Sequence, residues 1–382
     1  MPSRVLVGVH LGEFVLGFCW LHTITQNEAT SGGKHMLAAV YHGPNDLRVE
    51  ERPTPSTGPD EALLKVVSAG ICGTDLRILH GAHRKYPPGT VRIPGHEVVG
   101  DIAAVGEDVV GLEVAQRIFV APNMGCGHCR QCINSHNNRC ANYNAFGVTM
   151  DGAFAEYMRI PAAAIQQGNL IPIDRDADPA AGALIEPFAC VLHGQDAVNV
   201  HVGDLVLVVG AGPIGAMHVI LARLRGARRI IASDLISDRL PLVAKVGADR
   251  TVNPTEEDLV AVIDEESDGE GADVIIIAAP AHRAQKESLE LATIGGRINF
   301  FGGLPKDRPT IQFDSNLVHY RELSVTGTTA CSTEDCWRAA ALVNSGRVDL
   351  TPLITARYPL NETVEAFAAA QDRASLKTIV QP

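Results

Sequence analysis

The stretch LVLVVGAGPIGAMHVILARLRGARRIIASD, residues 205–234, decides the fold. Its apolar opening, LVLVVG, reads as a buried strand that runs straight into Gly210-Ala-Gly212-Pro213-Ile214-Gly215. A helical pattern follows, then a second strand, RRIIASD. In such a turn the first glycine permits the tight bend and the second lets a pyrophosphate approach the backbone. The third allows helix and strand to pack closely. The helix start then offers free N–H groups and the positive end of its dipole to the phosphates. Asp234 closes the second strand, 19 residues after Gly215. A carboxylate there accepts hydrogen bonds from both adenosine-ribose hydroxyls and repels a 2′-phosphate, so the reading is NAD rather than NADP. The glycines alone are a weak signal; strand, glycines, helix, strand and acid in this order are a specific one.

Downstream, GADVIIIAAP (271–280) and GGRINFFGG (295–303) are two more buried-strand runs, separated by the helix-like AHRAQKESLELAT. HYRELSVTGTT (319–329) supplies another strand. Repeated strand–helix alternation predicts an α/β fold with a doubly wound parallel sheet. Gly302 and Gly303, closing the second run, are further candidate cofactor contacts. From about residue 332 the pattern becomes a helix, a turn and a final strand, LKTIV.

Upstream lie most of the informative cysteines. Four of the chain's nine fall within CGHCRQCINSHNNRC, as Cys126, Cys129, Cys132 and Cys140. Two-residue gaps let successive thiolates converge on one tetrahedral ion, and the longer gap lets the chain loop back with a fourth ligand. Structural zinc is the prediction, with an iron–sulfur cluster the alternative for four thiolates. Disulfides fit poorly, because C-x-x-C geometry disfavours them and no credible secretion signal is present. Cys72, in AGICGTDLR, is followed by His96 and Glu97 in GHE. One thiolate, one imidazole and one carboxylate make a three-ligand zinc site with room for water or substrate. Cys19, Cys190, Cys331 and Cys336 read as small buried hydrophobes.

The 382 residues carry 32 Lys+Arg against 44 Asp+Glu, a net charge of −12, which argues against a nucleic-acid surface. At 46% hydrophobic and 20% charged, the chain is of ordinary globular composition. No apolar run is long enough to span a membrane. Residues 5–21 resemble a secretory core, but His10 and Glu13 interrupt them and no small-residue cleavage site follows. Residues 1–35 therefore read as an extension ahead of a first domain beginning near Met36, and the compartment expected is the cytoplasm.

Together CGTD, GHE, the four-cysteine lobe, GALIEPFACVLHG (182–194) and VVGAGPIG resemble the zinc-dependent medium-chain alcohol dehydrogenases. The resemblance runs from Met36 to the C-terminus. It implies a GroES-like β-barrel catalytic domain (36–187) wrapped around a Rossmann NAD-binding domain (188–330). A C-terminal segment (331–382) then returns to the first domain. It also implies a homodimer or homotetramer formed through coenzyme-domain edge strands. By the family pattern Cys72 and His96 ligate the catalytic zinc. Glu186, in IEPF, resembles the polyol and threonine dehydrogenase branch, where Glu97 ligates zinc and Glu186 binds the zinc or its water. Thr74 matches the hydroxyl that takes the substrate proton, Arg239 a base beside the adenosine ribose, and Lys377 a residue reaching the pyrophosphate. Two zinc ions and NAD per chain, acting on a small alcohol or polyol, are the implied cofactors and substrate.

Two positions depart from the family. Arg77 stands where relatives carry a proton-relay histidine, and a guanidinium cannot shuttle protons at neutral pH; His80, His83 or water must serve. Thr328, Thr329, Ala330 and Cys331 stand where animal sorbitol dehydrogenases carry a substrate-binding arginine after the glycine matching Gly327. The chemistry expected is hydride transfer from a secondary alcohol, the metal acting as Lewis acid. The alternatives within the family are a threonine dehydrogenase-like or sugar-phosphate dehydrogenase. A zinc hydrolase would leave the nucleotide fold without a purpose, and non-catalytic relatives usually lack the ligands retained here. Glu186 precedes Pro187, which predicts an extended backbone there, and the pair His96-Glu97 can face one ion only if the chain bends at Pro94-Gly95.

Overall fold

The computed structural model describes residues 34–372 and 375–382. The expected extension, apart from Lys34 and His35, and Cys19 with it, lie outside the described residues. The first described strand, His35–Gly43, pairs antiparallel with Asp46–Pro53, Met36 opposite Arg52.

Six strands form one parallel sheet. Across it they run Arg250–Val252, Arg229–Ser233, Leu205–Val209, Ala272–Ile277, Ala292–Phe300 and Ser324–Gly327. Numbered along the chain, that order is 3-2-1-4-5-6. It is the doubly wound arrangement in which a ligand crevice opens where the order reverses, here beyond Leu205–Val209 and Ala272–Ile277. The continuous apolar runs follow from burial on both faces. Leu205, Leu207, Ile231 and Ile275 pack into one core, while Val206, Val208, Ile230 and Ile276 pack into another. Helix Pro213–Leu224 starts at the crevice with Gly212 as N-cap and proline in its first turn, where a missing N–H costs nothing.

A second, mostly antiparallel sheet of seven strands holds Ala62–Gly70 near its middle, flanked by Glu97–Val105 and by Lys377–Gln381. Lys377–Gln381 and its parallel neighbour Ile354–Pro359 come from the far end of the chain. Helix Ile185–Val198 packs on Thr333–Asn344 and on Pro213–Leu224. One expectation is corrected here: Glu186 is helical rather than extended, because Pro187 falls in the first turn of that helix, where proline is tolerated.

Candidate metal and coenzyme site

Cys72 caps helix Gly73–Leu79, just past the end of strand Ala62–Gly70. Its backbone N–H donates to Asp75 Oδ2 at 2.9 Å, while Asp75 Oδ1 lies 3.5 Å from His96 Nδ1. One fully buried carboxylate thus fixes the cysteine's loop and lies beside the ring, and the far imidazole nitrogen is left as a candidate ligand. The bend before Glu97 is present: Gly95 has φ +101°. A Cβ there would also press on Phe154 at 3.0 Å, so only glycine fits. The ligand atoms of Cys72, His96 and Glu97 consequently lie within 4.8 Å of one another. Burial disfavours a charged His96, but Asp75 and Cys72 outweigh it and hold the imidazole well above its ordinary pKa. Such a field favours a cation.

Lys377 corrects the expectation that it reaches a pyrophosphate. It is 3% exposed, and its Nζ donates to Ile71 O at 2.9 Å and to both oxygens of Glu97, 2.7 Å to Oε1. Burial works against the ammonium, yet Glu97 and Cys72 keep its pKa raised. The cause is the pairing of Ile379 with Gly70, which turns Lys377 inward beside Glu97. Gly70 is a residue that sequence reasoning missed: a Cβ on it would sit 2.1 Å from Glu97 Oε2.

Glu186 falls into a second group, with Cys190 and Cys331. Both thiols approach one oxygen: Cys190 Sγ lies 3.5 Å and Cys331 Sγ 3.8 Å from Glu186 Oε1. Cys331 in turn lies 3.6 Å from Cys336. Burial raises the Glu186 pKa, while His96 works to lower it. Reading these cysteines as inert hydrophobes therefore missed their contact with a candidate catalytic carboxylate. The i, i+4 spacing of Glu186 and Cys190 was the available signal.

In the lobe, Sγ separations are 3.5 Å for Cys129–Cys132, 3.8 Å for Cys129–Cys140 and 4.0 Å for Cys126–Cys132. A tetrahedron with zinc–sulfur arms of about 2.3 Å has edges of about 3.8 Å, so the four thiols fit zinc. They are far too separated for disulfides, whose bond is about 2.05 Å.

At the crevice, Gly210 has φ +106°, and a Cβ on Gly215 would lie 1.7 Å from Gly210 O, so both must be glycine. Asp234 Oδ2 accepts from Ala211 N at 2.6 Å and Oδ1 from Ile236 N at 2.9 Å, which fixes the carboxylate beside the glycine turn. Arg239 Nη1 stands 3.7 Å from Asp234 Oδ2, over Gly212. These residues fit a dinucleotide. Gly302 is demanded by packing, since its Cβ would meet the Ala279 backbone at 2.6 Å; Gly303 has open space around it. Thr74 Oγ1 accepts from Arg77 Nη2 at 2.9 Å. Of the two relay candidates, His80 is turned to Asn45 Oδ1 at 2.9 Å.

The family described as "Alcohol dehydrogenase GroES-like domain" matches residues 58–172, and "Zinc-binding dehydrogenase" matches residues 213–345. L-threonine 3-dehydrogenase from Chromobacterium violaceum is 35% identical over 348 residues, covering 90% of this chain and 98% of that protein. A zinc-binding dehydrogenase from Sinorhizobium meliloti 1021, bound to NADP, superposes with TM-score 0.85 at 34% identity. That match covers 91% of this chain and 100% of the other. An alcohol dehydrogenase from Escherichia coli CFT073, complexed with NADH, gives 0.83 at 28%, covering 92% and 100%. The chain therefore belongs to the zinc-dependent medium-chain alcohol dehydrogenases, an oxidoreductase family, and within it to the branch that includes the threonine dehydrogenases.

Proposed function

We propose that the chain oxidises a secondary alcohol of polyol or sugar-alcohol type to a ketone, with NAD as hydride acceptor and two zinc ions bound. The observation that carries this is the convergence of Cys72, His96 and Glu97 beside Thr74, with Asp75 bracing two of them. Zinc held by Cys72, His96 and Glu97 would supply Lewis acidity to the alcohol oxygen, and NAD held at Gly210–Gly215 would supply the hydride acceptor. Thr74 Oγ1 accepts a hydrogen bond from the substrate hydroxyl and relays its proton outward to water. Glu186, its Oε1 held by two thiols, keeps Oε2 free for the metal or for water. Asp234 and Arg239 grip the adenosine ribose, and Asp234 sets the preference for NAD. Absorbance at 340 nm with a polyol panel tests the reaction. Asp234→Ala should raise KM for NAD and improve relative use of NADP, and a wild type that already prefers NADP removes that role.

A second reading, threonine dehydrogenase-like, is supported by the 35% identity with an enzyme of that name, and L-threonine belongs in the same panel. Ser324–Gly327 is the outermost strand of its sheet, and we assign to it the pairing of subunits into a dimer or tetramer. No described helix is long and apolar enough to cross a membrane. We place the protein in the cytoplasm, where its many thiols stay reduced.

A further inference from the structure

Three thiols gather around Glu186, and hydride transfer gives them no task. On helix Ile185–Val198, Glu186 and Cys190 are four residues apart, the spacing that sets two side chains one above the other on one face. At the start of helix Thr333–Asn344, Ser332 is the N-cap, so Cys331 precedes the cap and Cys336 is the fourth helical residue. An apolar pair at these two positions often packs together and fixes how the chain enters a helix. Here the pair is two thiols, 3.6 Å apart. The two helices pack on each other, and Glu186 Oε1 is met by Cys190 Sγ at 3.5 Å and by Cys331 Sγ at 3.8 Å.

Those separations suit ligands around one small cation. For a tetrahedral ion with sulfur arms of about 2.3 Å and an oxygen arm of about 2.1 Å, the sulfur–oxygen edge is about 3.6 Å. One ligand atom from each of Glu186, Cys190 and Cys331 lies within 4.8 Å of the others, the same closeness that gathers Cys72, His96 and Glu97. The donors are also held in place. Asp335 Oδ2 accepts from Ser332 N at 2.9 Å and lies 3.2 Å from His193 Nδ1. One carboxylate thereby ties the cap beside Cys331 to the helix that carries Glu186 and Cys190. Asn123 Nδ2 donates to Cys331 O at 3.0 Å. Packing alone does not call for thiols on a buried carboxylate, whereas a thiophilic cation does.

We propose that Glu186, Cys190 and Cys331 form a third metal position, taken by a thiophilic divalent cation such as Zn²⁺ or Cd²⁺ in excess of the two resident ions. Binding displaces one proton from each of the two thiols to solvent, with no change of oxidation state. A sulfur-rich donor set of this kind prefers zinc and cadmium to magnesium or calcium, which seek oxygen ligands. An ion there engages Glu186 Oε1 and withdraws that carboxylate from the alcohol chemistry, so the position is inhibitory. The inhibitory half rests on the dehydrogenase reading above; the binding half does not.

The experiment uses the full chain with its two zinc ions bound, freshly reduced, in thiol-free buffer under inert gas, dialysed against rising Cd²⁺. Zinc and cadmium are counted together by elemental analysis. Wild type should reach three ions per chain and release about two protons on taking up the third. Cys190→Ala and Cys331→Ala should each weaken the third ion at least about tenfold while keeping the first two, and Mg²⁺ should add none. In the same titration kcat should fall along the binding curve of the third ion. A total that stays at two, with cadmium replacing zinc, overturns the proposal. So does a third ion held equally by wild type and both variants, because it then lies elsewhere. Cys331 is fully buried; should its variant fail to fold, the half-buried Cys190 decides alone. Full turnover with three ions bound overturns the inhibitory role. If wild type oxidises no alcohol, the dehydrogenase reading falls by itself, and the metal count still decides the site.

Discussion

The cysteine lobe and the cleft group are two candidate metal-ligand sets built on opposite plans. The lobe takes Cys126, Cys129, Cys132 and Cys140 from one short loop, and its four thiols close a tetrahedron with no vertex left for substrate. The cleft takes Cys72, His96 and Glu97 from separate elements that meet only in the folded chain, with Lys377 against Glu97 and a second group of Glu186, Cys190 and Cys331, so it mixes thiols, an imidazole, carboxylates and an ammonium. A closed, local set can only stabilise. An open set dispersed along the chain can change its ligands, and it pays for that freedom in dependence on every strand that frames it.

The sharpest test removes one thiol from each. Cys72→Ser should lose one of two zinc ions by metal analysis and more than about 10³-fold in turnover, because the cleft has few other ligands. Cys129→Ser should also lose one zinc, but register as at least about 3 kcal/mol of lost stability, with activity falling in step with the folded fraction. If the two variants behave alike, the division into closed and open sites is wrong.

Next in size is the buried pair that only the cleft contains. Lys377→Met strands the fully buried Glu97 carboxylate, and urea unfolding should show a loss of about 3–5 kcal/mol. Adding Glu97→Gln should restore most of it, and a Lys377→Met protein of normal stability would show the pair to be incidental. Glu186→Gln should keep its zinc and lose about 10–100-fold in kcat, the range for a group that orients rather than holds. Full activity removes Glu186 from the site.

The smallest effect compares thiols after zinc is stripped with a chelator. Backbone N–H groups of His128 and Cys129 bring the Cys126 pKa down to about 6. Cys331 is lowered by its contact with Cys190, but Cys336 and burial raise it further and leave it well above the ordinary value. At pH 7 the first is mostly thiolate and the second is not, so iodoacetamide should label Cys126 at least about tenfold faster. As pH falls through 6 that advantage should fade. Comparable labelling would mean that the lobe and the cleft thiols share one environment.

Much of this was written in local sequence. The lobe is short-range spacing, the coenzyme turn is a run of glycines of which Gly210 and Gly215 leave no room for a Cβ, and the central parallel strands Leu205–Val209 and Ala272–Ile277 are nearly continuous apolar runs because both their faces are buried. Such features need only nearest neighbours and a burial pattern, which a linear sequence records. Lys377 shows where that ends. LKTIV reads as a strand, yet whether its lysine faces solvent, a phosphate or a buried carboxylate depends on pairing Ile379 with Gly70, more than 300 residues away. Shifting that register by one would turn the lysine to the other face. Cys331 and Cys336 are likewise ordinary small residues until the chain beyond the coenzyme sheet folds them against Glu186. Composition and periodicity determined which elements form and which ligands exist. Tertiary structure alone decided which charges oppose one another inside the cleft, because a buried charge is defined by its partner, and its partner is chosen by strand register.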